Sequence, residues 1–242
     1  VTTLPRPLLR YLIEVRKLLD TRSALAVLLA TLAAAVLAIS LLVVTQPEAV
    51  SVAGLAQNSV GLVAYVLPLL AILAVTSEWR QRTVLGTYTL DPDRTAVLLA
   101  KAAALLSVVC VVAVVVLAAS CATVAALGGA LPAPTDLLVM LGWLVLGMAG
   151  IALIGYGIAA AVLNAPLAIT LYLVAPPLLP QLATQIAALA PAAPYLDIHG
   201  PLLGLVRGSL PEHPSGFAVA GLLWLVAPVV VGFVRNARSD VG

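Results

Sequence analysis

Apolar residues run through this chain in long blocks separated by short polar passages. Crossing the roughly 30 Å hydrocarbon core of a bilayer takes about 20 helical residues. Six blocks have that reach: 24–45, 59–77, 96–127, 137–163, 165–190 and 217–234. The pattern predicts an all-α polytopic membrane protein with six transmembrane helices. The second block contains Pro68, a kink that neighbouring helices absorb. The fourth carries Gly142, Gly147, Gly150, Gly155 and Gly157, which suit close helix packing, with Gly155 and Ala159 as a small-x-x-x-small pair. The fifth is broken by Pro176, Pro177 and Pro180, stays apolar to Ala190, and is followed by Pro191, Pro194, Pro201, Pro211 and Pro214. Non-helical backbone at membrane depth needs protein or a water-lined cavity around it. This proline-rich region is therefore expected to form short helices dipping partly into the outer leaflet, not a solvated loop.

Two polar passages have a pattern of their own. In residues 1–23, Leu8, Leu12, Val15 and Leu19 recur at helical spacing while Arg10, Glu14 and Lys17 share the other side. Arg10 with Glu14, and Arg16 with Asp20, are spaced for i,i+4 pairs. This predicts an amphipathic helix at the membrane surface. The second passage, 78–94, mixes Glu78, Arg80 and Arg82 with Val84, Leu85, Tyr88 and Leu90, again the mixture of an interfacial helix. Asp91 is a suitable N-cap and Pro92 a suitable first residue for the helix that follows, which takes in Arg94 and Lys101.

Composition excludes a water-soluble globule: 63% of residues are hydrophobic and 9% charged, against about 45–50% and about 25% in ordinary domains. Mean hydropathy is +1.17. The net charge of +2 gives no reason to expect nucleic acid, but its distribution is informative. With six spans, eleven of the twelve Lys and Arg fall on the side holding both termini and the 78–94 passage, and only Arg207 lies opposite. The positive-inside rule then puts both termini, including the tail 235–242, in the cytoplasm of a cell whose plasma (inner) membrane the chain spans. Ten arginines against two lysines, with much Ala, Val and Gly, point to a bacterial source. No secretory signal is expected, because the first apolar block is too long and follows a charged stretch.

Candidate chemistry is sparse. There is no G-x-x-x-x-G-K-[ST] loop, no H-E-x-x-H and no G-x-S-x-G, so neither catalytic nor metal residues are predicted, and no cofactor. Cys110 and Cys121 read as small buried apolar residues. His199 and His213 read as surface histidines, with a loose metal site near Asp197 or Glu212 as the weaker reading. Lys101 is the one ionisable residue within a block, two turns in, where its stem reaches the headgroups. Without buried carboxylates, a self-powered ion pump is disfavoured.

These features together resemble the membrane-spanning permease subunit of type-2 ABC exporters. The resemblance covers nearly the whole chain. It rests on six spans with cytoplasmic ends, the amphipathic first helix, the series Glu78, Gly86-Thr87, Pro92-x-Arg94 and Lys101, and the broken block before the last span. It implies a pair of permeases, identical or sister chains, on two cytoplasmic ABC ATPase subunits that bind ATP and Mg. It also implies a coupling helix carrying Glu78, Arg80, Arg82, Gly86, Thr87 and Leu90, re-entrant helices within 178–205 before the last span, and an exported hydrophobic or amphipathic substrate such as a drug, lipid or peptide. The large outer domain of some relatives has no counterpart here. The rival readings are a stand-alone secondary transporter, which would use an ion gradient, and a membrane scaffold subunit.

Overall fold

Pro68 removes a main-chain donor from the middle of an apolar helix, and the surrounding bundle is arranged around that loss. The computed structural model describes residues 5–80 and 93–238, at 78–80 and 237–238 for the backbone only. In chain order the helices are α1 (Arg6–Asp20), α2 (Arg22–Thr45), α3 (Val52–Arg80), α4 (Arg94–Ala126), α5 (Pro134–Val162), α6 (Ala165–Gln185), α7 (Ala193–Leu196), α8 (His199–Val206), α9 (Pro214–Gly221) and α10 (Ala227–Arg238). No strand occurs among the described residues. Six helical stretches are long and apolar enough to cross a membrane: α2 to α6, and Pro214–Asn236 running through α9 and α10. The fold is that of an all-α polytopic membrane protein.

The α3 helix continues through Pro68. A proline gives no N–H to the carbonyl four residues back, here that of Ala64. The Tyr172 hydroxyl, from α6, donates to it at 2.7 Å. Gly155 of α5 packs on the same spot: a Cβ there would stand 2.7 Å from the Pro68 Cβ and 2.8 Å from its carbonyl oxygen. The α3 and α5 helices form the centre of the bundle, with Leu55, Leu67, Ile72, Met148, Ile151 and Ile154 among the most buried side chains. Around them stand α2, α4, α6, α8 and α10. Buried hydroxyls are satisfied within their own helices: Thr31, Ser59, Thr76 and Ser120 each donate to the carbonyl four residues earlier. The periphery is apolar, with Leu29, Val36, Leu37, Val111 and Leu138 exposed as they are on a lipid-facing surface.

Several boundaries differ from the expected ones. The second span begins at Val52, not Ser59, where the Ser51 hydroxyl accepts the Gly54 N–H at 3.0 Å. The fifth is not broken at Pro176 and Pro177 but stays helical through them and Pro180 to Gln185. In apolar surroundings a few missing donors are cheaper than an unwound backbone whose other polar groups find no partner. The short helices α7 and α8 follow only after that, within 193–206. In the last span, Pro228 is preceded by a π-helical turn, Leu222–Val226, which widens the backbone before a residue that cannot donate. Cys110 is exposed and Cys121 half-buried, so the expectation of two buried cysteines fails at Cys110.

Candidate functional site: an ionic joint between the first and fourth helices

At 100° per residue, Arg10, Glu14, Lys17 and Leu18 share one side of α1. A helix lying at the membrane surface would turn that charged side to the headgroups. The structure turns it inward. Glu14 and Leu18 are buried, Arg10 and Lys17 half-buried, and the side left exposed is largely apolar: Leu8, Leu9, Leu12, Ile13 and Leu19.

Glu14 is the centre of the inward face. One carboxylate oxygen accepts from the Lys101 ammonium of α4 at 2.7 Å, the other from Lys17 at 2.7 Å. Side-chain exposure is 8% for Glu14, 5% for Lys101 and 40% for Lys17. Lys101 therefore does not snorkel outward, because a partnered carboxylate inside the bundle competes with the headgroup layer. Both lysines of the chain meet on this one acid. On either side, Tyr11 shares a 2.8 Å hydrogen bond with Ser107 of α4, and Arg10 pairs with Asp93 at 3.5 Å. The predicted Arg16–Asp20 pair forms at 3.0 Å on the exposed side; the predicted Arg10–Glu14 pairing gives way to these inter-helix contacts.

Other helix ends are tied down near this joint. Asp93 caps α4, its carboxylate accepting the Ala96 N–H at 3.0 Å. Arg94 donates to the Asn236 carbonyl at 2.9 Å, joining the start of α4 to the end of α10. Arg235 donates to the Ala161 carbonyl at 2.7 Å and so caps the last turn of α5. Tyr156 of α5 donates to the Leu98 carbonyl of α4 at 2.8 Å. Only Leu163 and Asn164 separate α5 from α6; Leu163 adopts φ 55° and the Asn164 side chain caps α6. One end of the bundle is thus closed by polar contacts that join α4, α5 and α10 to one another and fasten α1 to α4.

The predicted residues divide cleanly. Arg10, Glu14, Lys17, Arg94 and Lys101 come together at this end. Among the described residues the helix restart is capped by Asp93. Glu78 and Arg80 lie in the last turn of α3, so that turn is helical to the end of the described segment. Arg82, Gly86, Thr87, Leu90, Asp91 and Pro92 lie outside the described residues. Tyr11, Asp93 and Arg235 were missed; only Asp93, an acid just before a helical block, carried a recognisable signal.

His199, at the other end, is half-buried, whereas His213 is exposed as expected. Burial pushes the His199 imidazole below the ordinary 6.5, and Asp197 pulls weakly the other way. The Tyr172 proton is engaged by Ala64, so Tyr172 accepts from His199 Nε2 at 3.3 Å, which leaves Nδ1 bare. That Nδ1 is buried with no hydrogen-bond partner among the described residues. Among the described residues no group of three His, Cys, Asp or Glu could hold a metal.

No protein-family model matches the chain, and no curated protein is similar enough to count as a relative.

Proposed function

We propose that the chain is the membrane-spanning subunit of an ATP-driven ABC exporter, acting as a pair of permeases on two separate cytoplasmic ATPase subunits. The observation that carries the reading is the joint itself. Glu14 fastens α1 to α4 at Lys101, about two turns beyond Asp93 near the end of the charged passage that would dock on the ATPase. A push on that passage would reach α3 on one side and α4 on the other, and the Glu14 contacts would carry α1 with them. The proposed orientation puts this end, with most of the basic residues, in the cytoplasm.

Glu14 bears on the rival reading too, being a buried carboxylate in a chain expected to have none. It lies on α1 rather than inside a span, and it bonds to two ammonium groups. A carboxylate that loads and releases ions across a membrane belongs within the spans. The cargo of the exporter is proposed to be hydrophobic or amphipathic, in keeping with the apolar spans.

The deciding experiment is affinity purification of the chain from its native host in mild detergent, with an assay for vanadate-sensitive ATP hydrolysis. A stoichiometric partner carrying a G-x-x-x-x-G-K-[ST] loop is the expected result. A lone chain without ATPase activity, reproduced under gentler extraction, would overturn the proposal.

A further inference from the structure

The end of the bundle away from Glu14 contains a cavity of about 640 Å³, within the roughly 300–1,000 Å³ range of small-molecule sites. Its walls come from the last turns of α6, from α7 and α8, and from the loop leading into α9. Pro180, Pro194, Pro201 and Pro211 occur on successive walls, so much of the lining backbone has its φ fixed before anything binds. The packing of α8 on α5 holds one wall firmly: a Cβ on Gly147 would meet the Leu202 carbonyl oxygen at 2.7 Å.

The polar lining is unusual in what it leaves open. Asp197, Arg207 and Glu212 all face the cavity, and none forms an ion pair among the described residues. Asp197 is held in place, with Oδ1 accepting the Gly200 N–H at 2.9 Å while Oδ2 has no hydrogen-bond partner among the described residues. Gly200 makes room for that free oxygen, since a Cβ there would collide with it. Opposite charges on a mobile surface drift together; on this proline-braced rim they remain apart. Two carboxylates and one guanidinium, bordered by Leu210 and the prolines, are complementary to a molecule carrying an ammonium group, an anionic group and an apolar part. Arginine is the side chain best matched to a phosphate or carboxylate.

We propose that this cavity binds a zwitterionic ammonium–phosphate headgroup, with the ammonium on Asp197 and Glu212 and the phosphate on Arg207. The same chemistry occurs in a bilayer phospholipid and in a soluble phosphate ester, and both can be tested. The site does not depend on the ATPase reading: it uses none of the residues of the joint.

The test uses the full chain in a non-ionic maltoside, titrated with dihexanoyl-phosphatidylethanolamine, dihexanoyl-phosphatidylglycerol and glycerophosphoethanolamine and read by native mass spectrometry. The ethanolamine lipid should bind about tenfold more tightly than the glycerol lipid, a difference of about 1.4 kcal/mol. D197N should abolish that preference, whereas R207Q should weaken the binding of both lipids alike. G200A, which displaces the Asp197 carboxylate without removing it, should weaken the preference and checks against misfolding of the charge variants. Binding of glycerophosphoethanolamine with the same dependence on Asp197 and Arg207 assigns the site to soluble zwitterions; binding only of the acylated form assigns it to membrane lipid. Equal binding of the two lipids, a preference that survives D197N, or lipid binding that R207Q leaves unchanged overturns the proposal.

Discussion

A carboxylate between two ammonium groups has a characteristic energetic signature. Removing one partner of a buried ion pair costs about 3–5 kcal/mol, whereas replacing the pair with apolar residues of similar volume is often neutral or stabilising. E14Q and K101M are each expected to destabilise the detergent-solubilised chain by about that amount. The double variant E14L/K101M should recover most of the loss, because Leu18, Leu70 and Ala104 already make the surroundings apolar. A double-mutant cycle from chemical unfolding measures the coupling, and additive losses would mean that the 2.7 Å contact contributes nothing. Lys17 is more exposed, so K17M should cost about 1 kcal/mol or less. His199 predicts a pH effect of known sign. Its folded-state pKa lies below 6.5, so the unfolded chain binds more protons as pH falls. Stability should be fully present above about pH 6.5 and decline below it, levelling off beneath the folded-state value. H199Q should flatten the melting-temperature profile between about pH 7 and pH 5.

Among the elements, α3 and α1 show the two kinds of information a sequence carries. The proline inside the second span was legible, and so was the value of the α5 glycines for close packing. Their meeting was not: that Gly155 lies against Pro68, and that Tyr172 serves the Ala64 carbonyl, depends on which helices adjoin. Y172F should cost about 1 kcal/mol, the usual worth of a hydrogen bond inside a membrane bundle. G155A should cost more, about 1–3 kcal/mol, because the added methyl meets backbone rather than a flexible side chain. Thermal unfolding in detergent ranks the two variants, and the reverse order would count against the tight α3–α5 contact. For α1, periodicity identified the helix and both of its faces but not what each face meets. The spacing of apolar and charged residues orients the two faces relative to the helix axis alone; Lys101, 87 positions beyond Glu14, decided which of them turns inward. The fifth span was misread for a related reason, since proline breaks helices in water and is tolerated where unwinding would expose more backbone to lipid.

For the whole molecule, hydropathy sufficed to identify six membrane-crossing helices, because in lipid the backbone has few alternatives. Charge placement gave the proposed orientation, which impermeant thiol labelling can check. In a C110A/C121A background on intact cells, a cysteine introduced by E212C should be modified while one introduced by R16C stays protected until the membrane is opened. The opposite pattern would invert the topology. The joint at Glu14 has one further consequence. The chain has only two side-chain amines, those of Lys17 and Lys101, and both bond to one carboxylate. Acylating reagents that modify primary amines therefore act as a site-specific reporter without any engineering. Lys101, 5% exposed, should react slowly while α1 is docked and quickly when it lifts away. A time course of its acylation, followed by mass spectrometry with and without ATP, would clock the movement of α1 in the unmodified protein.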